Sequence, residues 1–137
     1  MENAEVIYVS WGGNGAGVAV RSAFEAALER NASLLYLAIL DEQHFGDLDD
    51  IHVSLVVDEL EWLLDAQLRL VANQLNAERH PARIIVRVGD VYDELDAVVR
   101  STVCDLVLVP SEVGETAGAI AERTGCTVEL VSSTLAR

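Results

Sequence analysis

The sequence predicts an α/β protein, a doubly wound parallel sheet of five strands with helices on both faces. Three observations lead there. Five short apolar runs alternate with four segments of helical period. The runs are apolar nearly throughout, as strands covered on both faces are. Right-handed crossovers then leave only a few doubly wound topologies.

Taken in order, the run 6–9 reads as the first strand and opens into the glycine-rich stretch SWGGNGAG. Segment 18–30 follows with Val20, Ala23, Phe24, Ala27 and Leu28 on one stripe and Asn31 as its stop. Run 34–40 is the second strand. The irregular stretch DEQHFGDLDDIH, 41–52, leads into a long helix whose Val53, Val57, Leu60, Leu64, Leu68, Val71 and Leu75 alternate spacings of three and four. Leu55, Trp62, Leu63 and Leu70 fall off that stripe, so this helix carries apolar residues on a second face. Run 84–88 is the third strand, and Gly89-Asp90 introduces a helix. Asp90 is its cap, Asp93 and Glu94 lie in its first turn, and Leu95, Val98 and Val99 face inward. Run 106–109 is the fourth strand. A short helix over about 117–123 ends at Gly125, and run 128–131 is the fifth strand. As an edge strand it is open to pairing with another subunit.

Composition limits the rest. A chain of 137 residues, 51% hydrophobic, fits one domain that buries a core without staples. The net charge of −14 arises from 23 acidic against nine basic residues, all of them arginine. Nucleic acid is therefore excluded as a partner, since binding it requires cations that neutralise phosphates. No apolar run reaches the length of a membrane span, and MENAEVIYVS is acidic where a signal peptide is basic, which reads as a cytoplasmic protein without membrane association. Cys104 and Cys126 lack metal or redox spacing and read as small buried hydrophobes, with a regulatory disulfide as the alternative.

Ligands of open α/β sheets bind beyond the carboxyl ends of the strands, where the strand order reverses. Gly12, Gly13, Gly15 and Gly17 offer backbone N–H groups to an anion, yet their spacing fails the dinucleotide fingerprint and no lysine completes a P-loop. A plain strand-to-helix turn uses the same glycines. His44, Asp47, Asp49, Asp50 and His52 have the chemistry of divalent-metal ligands; read as a solvated acidic loop, the same stretch uses Asp49 or Asp50 as a helix cap. The second reading is adopted, so no metal is expected. No serine sits in a nucleophile elbow, and carboxylate pairs are too common in so acidic a chain to mark general acid–base chemistry.

At this point the string resembles the universal stress protein family over nearly its whole length. VIYVSW resembles the first strand, SLLYLAILDE the second, IIVRVGDVYDEL the third with its glycine before a helix, STVCDLVLVPS the fourth and GCTVELV the closing strand. The resemblance implies the strand order 3-2-1-4-5 and a homodimer formed through the fifth strand. In ATP-binding members an Asp ends the first strand; after the fourth come a glycine, two residues, a glycine, nine residues, and a glycine with Ser or Thr. Here Trp11 replaces the Asp and Pro110 the first glycine, which removes one N–H donor. Gly114 matches the second glycine, and Gly118-Ala119, with Thr116 nearby, is what remains of the last pair. Glu112 and Glu115 oppose a triphosphate.

The resemblance thus implies a vestigial nucleotide crevice. It comprises Ser10, Trp11, Gly12, Gly13 and Gly15 from the first loop, Leu40 at the end of the second strand, and Ser111, Gly114, Thr116 and Gly118 after the fourth. The expected function is a non-enzymatic, cytoplasmic, dimeric regulatory or interaction module of the stress response, without a cofactor. The alternatives are an adenine-nucleotide switch that binds ATP or AMP weakly, and a small-molecule or metal sensor built on 44–52.

Overall fold

A computed structural model of the chain describes residues 4–11, 18–40, 49–110 and 117–131; for Trp11, Val18, Ala19, Asp50 and Pro110 only the backbone is described. The elements run β1 (Glu5–Trp11), α1 (Val18–Glu29), β2 (Ser33–Leu40), α2 (Asp50–Gln74), β3 (Ala82–Val88), α3 (Val91–Arg100), β4 (Cys104–Pro110), α4 (Ala117–Thr124) and β5 (Val128–Val131). They form one parallel sheet in the order β3-β2-β1-β4-β5, the order the family resemblance implies.

Strand alternation divides the core in two. Val6, Tyr8, Leu34, Tyr36, Leu106 and Leu108 face α1 and α2, where they meet Val20, Phe24, Leu64, Leu68 and Val71. Ile7, Val9, Leu35, Leu37, Ile39, Val107 and Val109 face α3 and α4, against Leu95, Val98, Val99 and Ile120. The three middle strands are therefore apolar on both faces, the pattern that marked them as strands. Each fully buried Leu, Ile, Val or Phe contributes about 1.5–3 kcal/mol of transfer free energy.

The helix ends follow local chemistry. Asn31 adopts φ 52°, its N–H bonds the Leu28 carbonyl (3.1 Å) and the Ala32 N–H bonds the Ala27 carbonyl (2.9 Å). That pair of bonds is a Schellman motif. Asn76 (φ 53°) ends α2 the same way, with Asn76 bonding Asn73 (3.1 Å) and Ala77 bonding Ala72 (2.8 Å). Asp90 caps α3, accepting from the Asp93 N–H at 3.0 Å. Asp49, not Asp50, caps α2, accepting from the His52 N–H at 2.9 Å.

Helix α2 departs from its simple stripe. Leu64, Leu68 and Val71 are buried, whereas Val53 and Val57 are only half-buried. Length explains this: 25 residues of helix span about 37 Å, whereas strands of seven or eight residues span about 25 Å. Since α2 leaves β2 and returns to β3, the excess turns project past the carboxyl ends of the strands. Cys104 and Cys126 also differ from expectation. Both are free and half-buried rather than sealed in the core, because they lie at the border of the α3/α4 layer. Burial and the neighbouring Cys126 thiol push the Cys104 thiol up to about 12.

Candidate functional site

The chain leaves β1 toward β2 and leaves β4 toward β5, so the strand order reverses between β1 and β4. These strands pair in parallel, with a register shift between Glu5 and Val6 and Tyr8 opposite Leu108, and end at Trp11 and Pro110. Helices α1 and α4 begin beyond these ends, and neither has an acidic residue in its first turn. In that respect they differ from α3, whose first turn holds Asp93 and Glu94. Acid in the first turn complements the helix dipole, so α1 and α4 leave their amino-terminal partial charge to whatever stands in the crevice.

Three of the expected crevice positions can be followed in detail. Ser10 is fully buried on the α1/α2 side of β1 and shares a hydrogen bond with the Tyr36 hydroxyl. Burial raises the Tyr36 pKa and the bond to Ser10 partly offsets it. The two rings Tyr8 and Tyr36 stack tilted with centroids 5.1 Å apart, so the polar atoms of this layer lie among aromatic carbon. Leu40, nearly buried, closes β2, and its carbonyl accepts from the Gly89 N–H at 2.9 Å. Gly89 has φ 153°, a region that favours glycine, and this geometry turns the chain from β3 into α3 beside the end of β2. Gly118 stands at the second position of α4 with open space where a Cβ would lie.

Backbone pairing locates one more, Trp11, together with the Pro110 that replaces the family's first glycine. Trp11 pairs with Ile39 of β2, and Pro110 pairs with Val131 of β5. Pro110 thus ends its strand in regular parallel register while contributing no N–H beyond it. Gly12, Gly13, Gly15, Ser111, Gly114 and Thr116 lie outside the described residues, as do Gly17, His44, Asp47, Glu112 and Glu115. Within 49–52, Asp49 Oδ1 accepts from the His52 N–H and lies 2.7 Å from His52 Nδ1. The His52 backbone bond and the His52 ring hold the Asp49 carboxyl below the ordinary carboxylate range. Among the described residues no group of three His, Cys, Asp or Glu side chains converges on a metal position.

Two features escaped the sequence. The first turns of α2 stand clear of the core, and the signal for this was the helix's length relative to the strands. A cavity of about 420 Å³ lies between α2 and the start of β3, lined by Phe24, Asp65, Leu68, Arg69, His80 and Arg83 among others. No linear pattern signals it, because four separate segments build it. It opens at the amino end of β3, away from the crevice. His80 there donates from Nε2 to the Ala32 carbonyl (2.6 Å), and Arg83 is bound to Glu5 at 3.0 and 2.8 Å, which raises its pKa further.

Comparison with known proteins agrees with this architecture. The universal stress protein family pattern matches residues 6–131. A crystal structure of a hypothetical protein, PH0823, superimposes with a TM-score of 0.67 at 23% identity, covering 93% of this chain and 94% of that one. A universal stress protein crystallised in complex with cAMP gives 0.59 at 20% identity, covering 98% and 100%. The universal stress protein UspA from Lactobacillus plantarum gives 0.54 at 14% identity, covering 96% and 99%. No curated protein matches the chain significantly. At these identities the solved structures speak for the fold.

Proposed function

The chain belongs to the universal stress protein family, and from that premise we propose that it is a non-enzymatic regulatory or interaction module that works as a homodimer through β5 and does not bind ATP in the manner of ATP-binding relatives. Pro110 is the observation that carries this reading. It occupies the strand end where the ATP-binding pattern has its first glycine, in register with Val131, and it supplies no N–H to a phosphate. A phosphate site depends on converging donors, and a lost donor is not replaced by the two glutamates that follow in sequence. The dimer is supported by β5 being a sheet edge with Leu130 53% exposed on it.

The test of the ligand reading is a thermal-shift series with ATP, AMP and cAMP, together with native mass spectrometry of the purified protein. The expected result is no copurified nucleotide and no rise in melting temperature at millimolar ATP. A rise of several degrees with ATP overturns it, because a ligand at a hundred times its Kd stabilises the native state by about 2.7 kcal/mol. For the dimer, light scattering of a Leu130→Arg variant should give a smaller assembly than the unsubstituted chain.

A second reading, an adenine-nucleotide switch, is favoured by one observation. A relative of the same fold was crystallised with cAMP, and Gly118 of this chain keeps open space at the start of α4. The same series decides it, since a rise with AMP or cAMP but none with ATP supports a nucleotide site that needs no triphosphate cradle.

A further inference from the structure

We infer that the outward face of α2 is a self-association surface on which a second copy of this chain packs its own α2 antiparallel. The surface is independent of β5. Helix α2 packs on β3 and α1, at the sheet edge opposite β5, so both surfaces can be occupied at once.

The face is apolar and uncovered. Leu55 is 60% exposed, Trp62 71%, Leu63 47% and Leu70 61%, with Ile51 and Val56 exposed beside them. Together these side chains present on the order of 700 Å² of surface per chain, close to the roughly 800 Å² each partner contributes to a stable interface of standard size. Contiguous apolar patches of that size are unusual on a protein that stays alone in water. A net charge of −14 makes such a patch on this chain more conspicuous.

The spacing selects the occupant. Leu55 and Trp62 stand seven residues apart, as do Val56, Leu63 and Leu70, so the residues form two rows that track along the helix as a coiled-coil seam does. Leu55, Trp62, Leu63 and Leu70 are also symmetric about the junction of residues 62 and 63. A two-fold axis at that junction, relating antiparallel helices, sets Leu55 against the partner's Leu70 and Trp62 against the partner's Leu63, each contact twice. Self-complementarity of this kind is what a two-fold interface between copies requires. Small Ala66 falls opposite Glu59, which leaves room for the carboxylate.

Arg69 selects the direction. Asp50, Asp58, Glu59, Glu61 and Asp65 are acidic, and Arg69 is the helix's single Lys or Arg. The acidic stretch 58–65 overlaps its copy in either direction, so it does not discriminate. A parallel pair sets the two Arg69 side chains level with each other, whereas the antiparallel pair brings each Arg69 level with the other chain's Val56, about 4.5 Å along the axis from its Glu59. Arg69 already pairs with Asp65 within the chain at 2.9 Å, so its guanidinium stands beside the stripe.

Two measurements test this. Sedimentation equilibrium of the full chain should show fewer chains per particle for a Trp62→Glu, Leu63→Glu variant than for the unsubstituted protein. An unchanged particle overturns the inference. Leu130→Arg reports separately on β5, so a dimer split by that substitution and untouched at Trp62 upholds the β5 reading and rejects this one. The second measurement is oxidative cross-linking of a Glu59→Cys, Ala66→Cys chain with Cys104 and Cys126 replaced by alanine. On one helix the two new cysteines stand about 10 Å apart, too far to bridge, so any disulfide joins two chains. The double variant should cross-link and Glu59→Cys alone should not. Cross-linking of the single variant, or none in the double, overturns the antiparallel register.

Discussion

Replacing Gly89 by alanine probes the turn that links the end of β2 to the start of α3. Gly89 sits at φ 153°, and a Cβ built there lies 3.3 Å from both Cγ and Oε2 of Glu94. Two costs follow, and they differ in kind. Holding an L-residue at this φ costs about 1–3 kcal/mol, because the Cβ then crowds its own backbone. The approach to Glu94 costs less, on the order of 0.5 kcal/mol, because the far end of a half-exposed side chain can rotate away. Alanine also narrows the unfolded ensemble, which offsets about 0.4–1 kcal/mol. The net expectation is a destabilisation of about 1–2 kcal/mol, or a melting temperature lowered by about 3–8 °C for a domain of this size. Urea denaturation followed by circular dichroism measures it, with Glu94→Ala and the double variant completing a cycle. Because backbone strain is the larger share, the double variant should keep most of the cost. A neutral Gly89→Ala, or a cost that vanishes once Glu94 is removed, refutes the reasoning.

Asp90→Ala should destabilise by about 1 kcal/mol in the same assay, since it removes the acceptor of the Asp93 N–H at the head of α3. Asn31→Ala and Asn76→Ala should each cost about 1 kcal/mol and the glycine variants nothing, because both positions hold positive φ at a helix end. Timed iodoacetamide labelling at pH 8, read by mass spectrometry, should find Cys104 alkylated on the order of a hundredfold more slowly in the native state than after unfolding, because burial holds its pKa near 12 and suppresses the thiolate. The same shift predicts alkaline lability. A folded pKa above the unfolded one keeps the full contribution below about pH 9 and loses it as pH rises towards about 12. Buried Tyr36, also raised, adds to the fall above its ordinary value of 10.0. Denaturation midpoints from pH 8 to 11 should therefore decline, and less steeply for Cys104→Ala.

Much of this fold is legible in the chain because its signals are local. Apolar runs such as VIYV and LVLV commit to strands covered on both faces, and they occupy β1 and β4 as read. Asp90 and Asn31 mark a helix start and a helix stop through bonds that reach no further than five residues. The order β3-β2-β1-β4-β5 came from the family resemblance, not from periodicity, since alternation alone leaves several doubly wound orders open. The candidate site was less legible. Ser10 was read as part of the crevice, yet its hydroxyl is committed to Tyr36, a residue 26 positions away that no local pattern connects to it. The cysteines looked buried by composition, but burial depends on where an element ends against its neighbours.

By itself, then, the sequence determined the alternation of strands and helices, the caps, the acidic character and the two-sided apolarity of α2, because each depends on residue type and spacing within a few turns. Only the tertiary structure decided how far along α2 its core stripe stays covered. A 25-residue helix meets a sheet shorter than itself, one stripe is buried on β3 and α1, and Leu55, Trp62, Leu63 and Leu70 are left facing water. It also decided that Pro110 closes β4 in register with Val131, which fixes where the missing N–H falls relative to the crevice. Both outcomes depend on distances between segments remote in the chain, and those distances are set by packing.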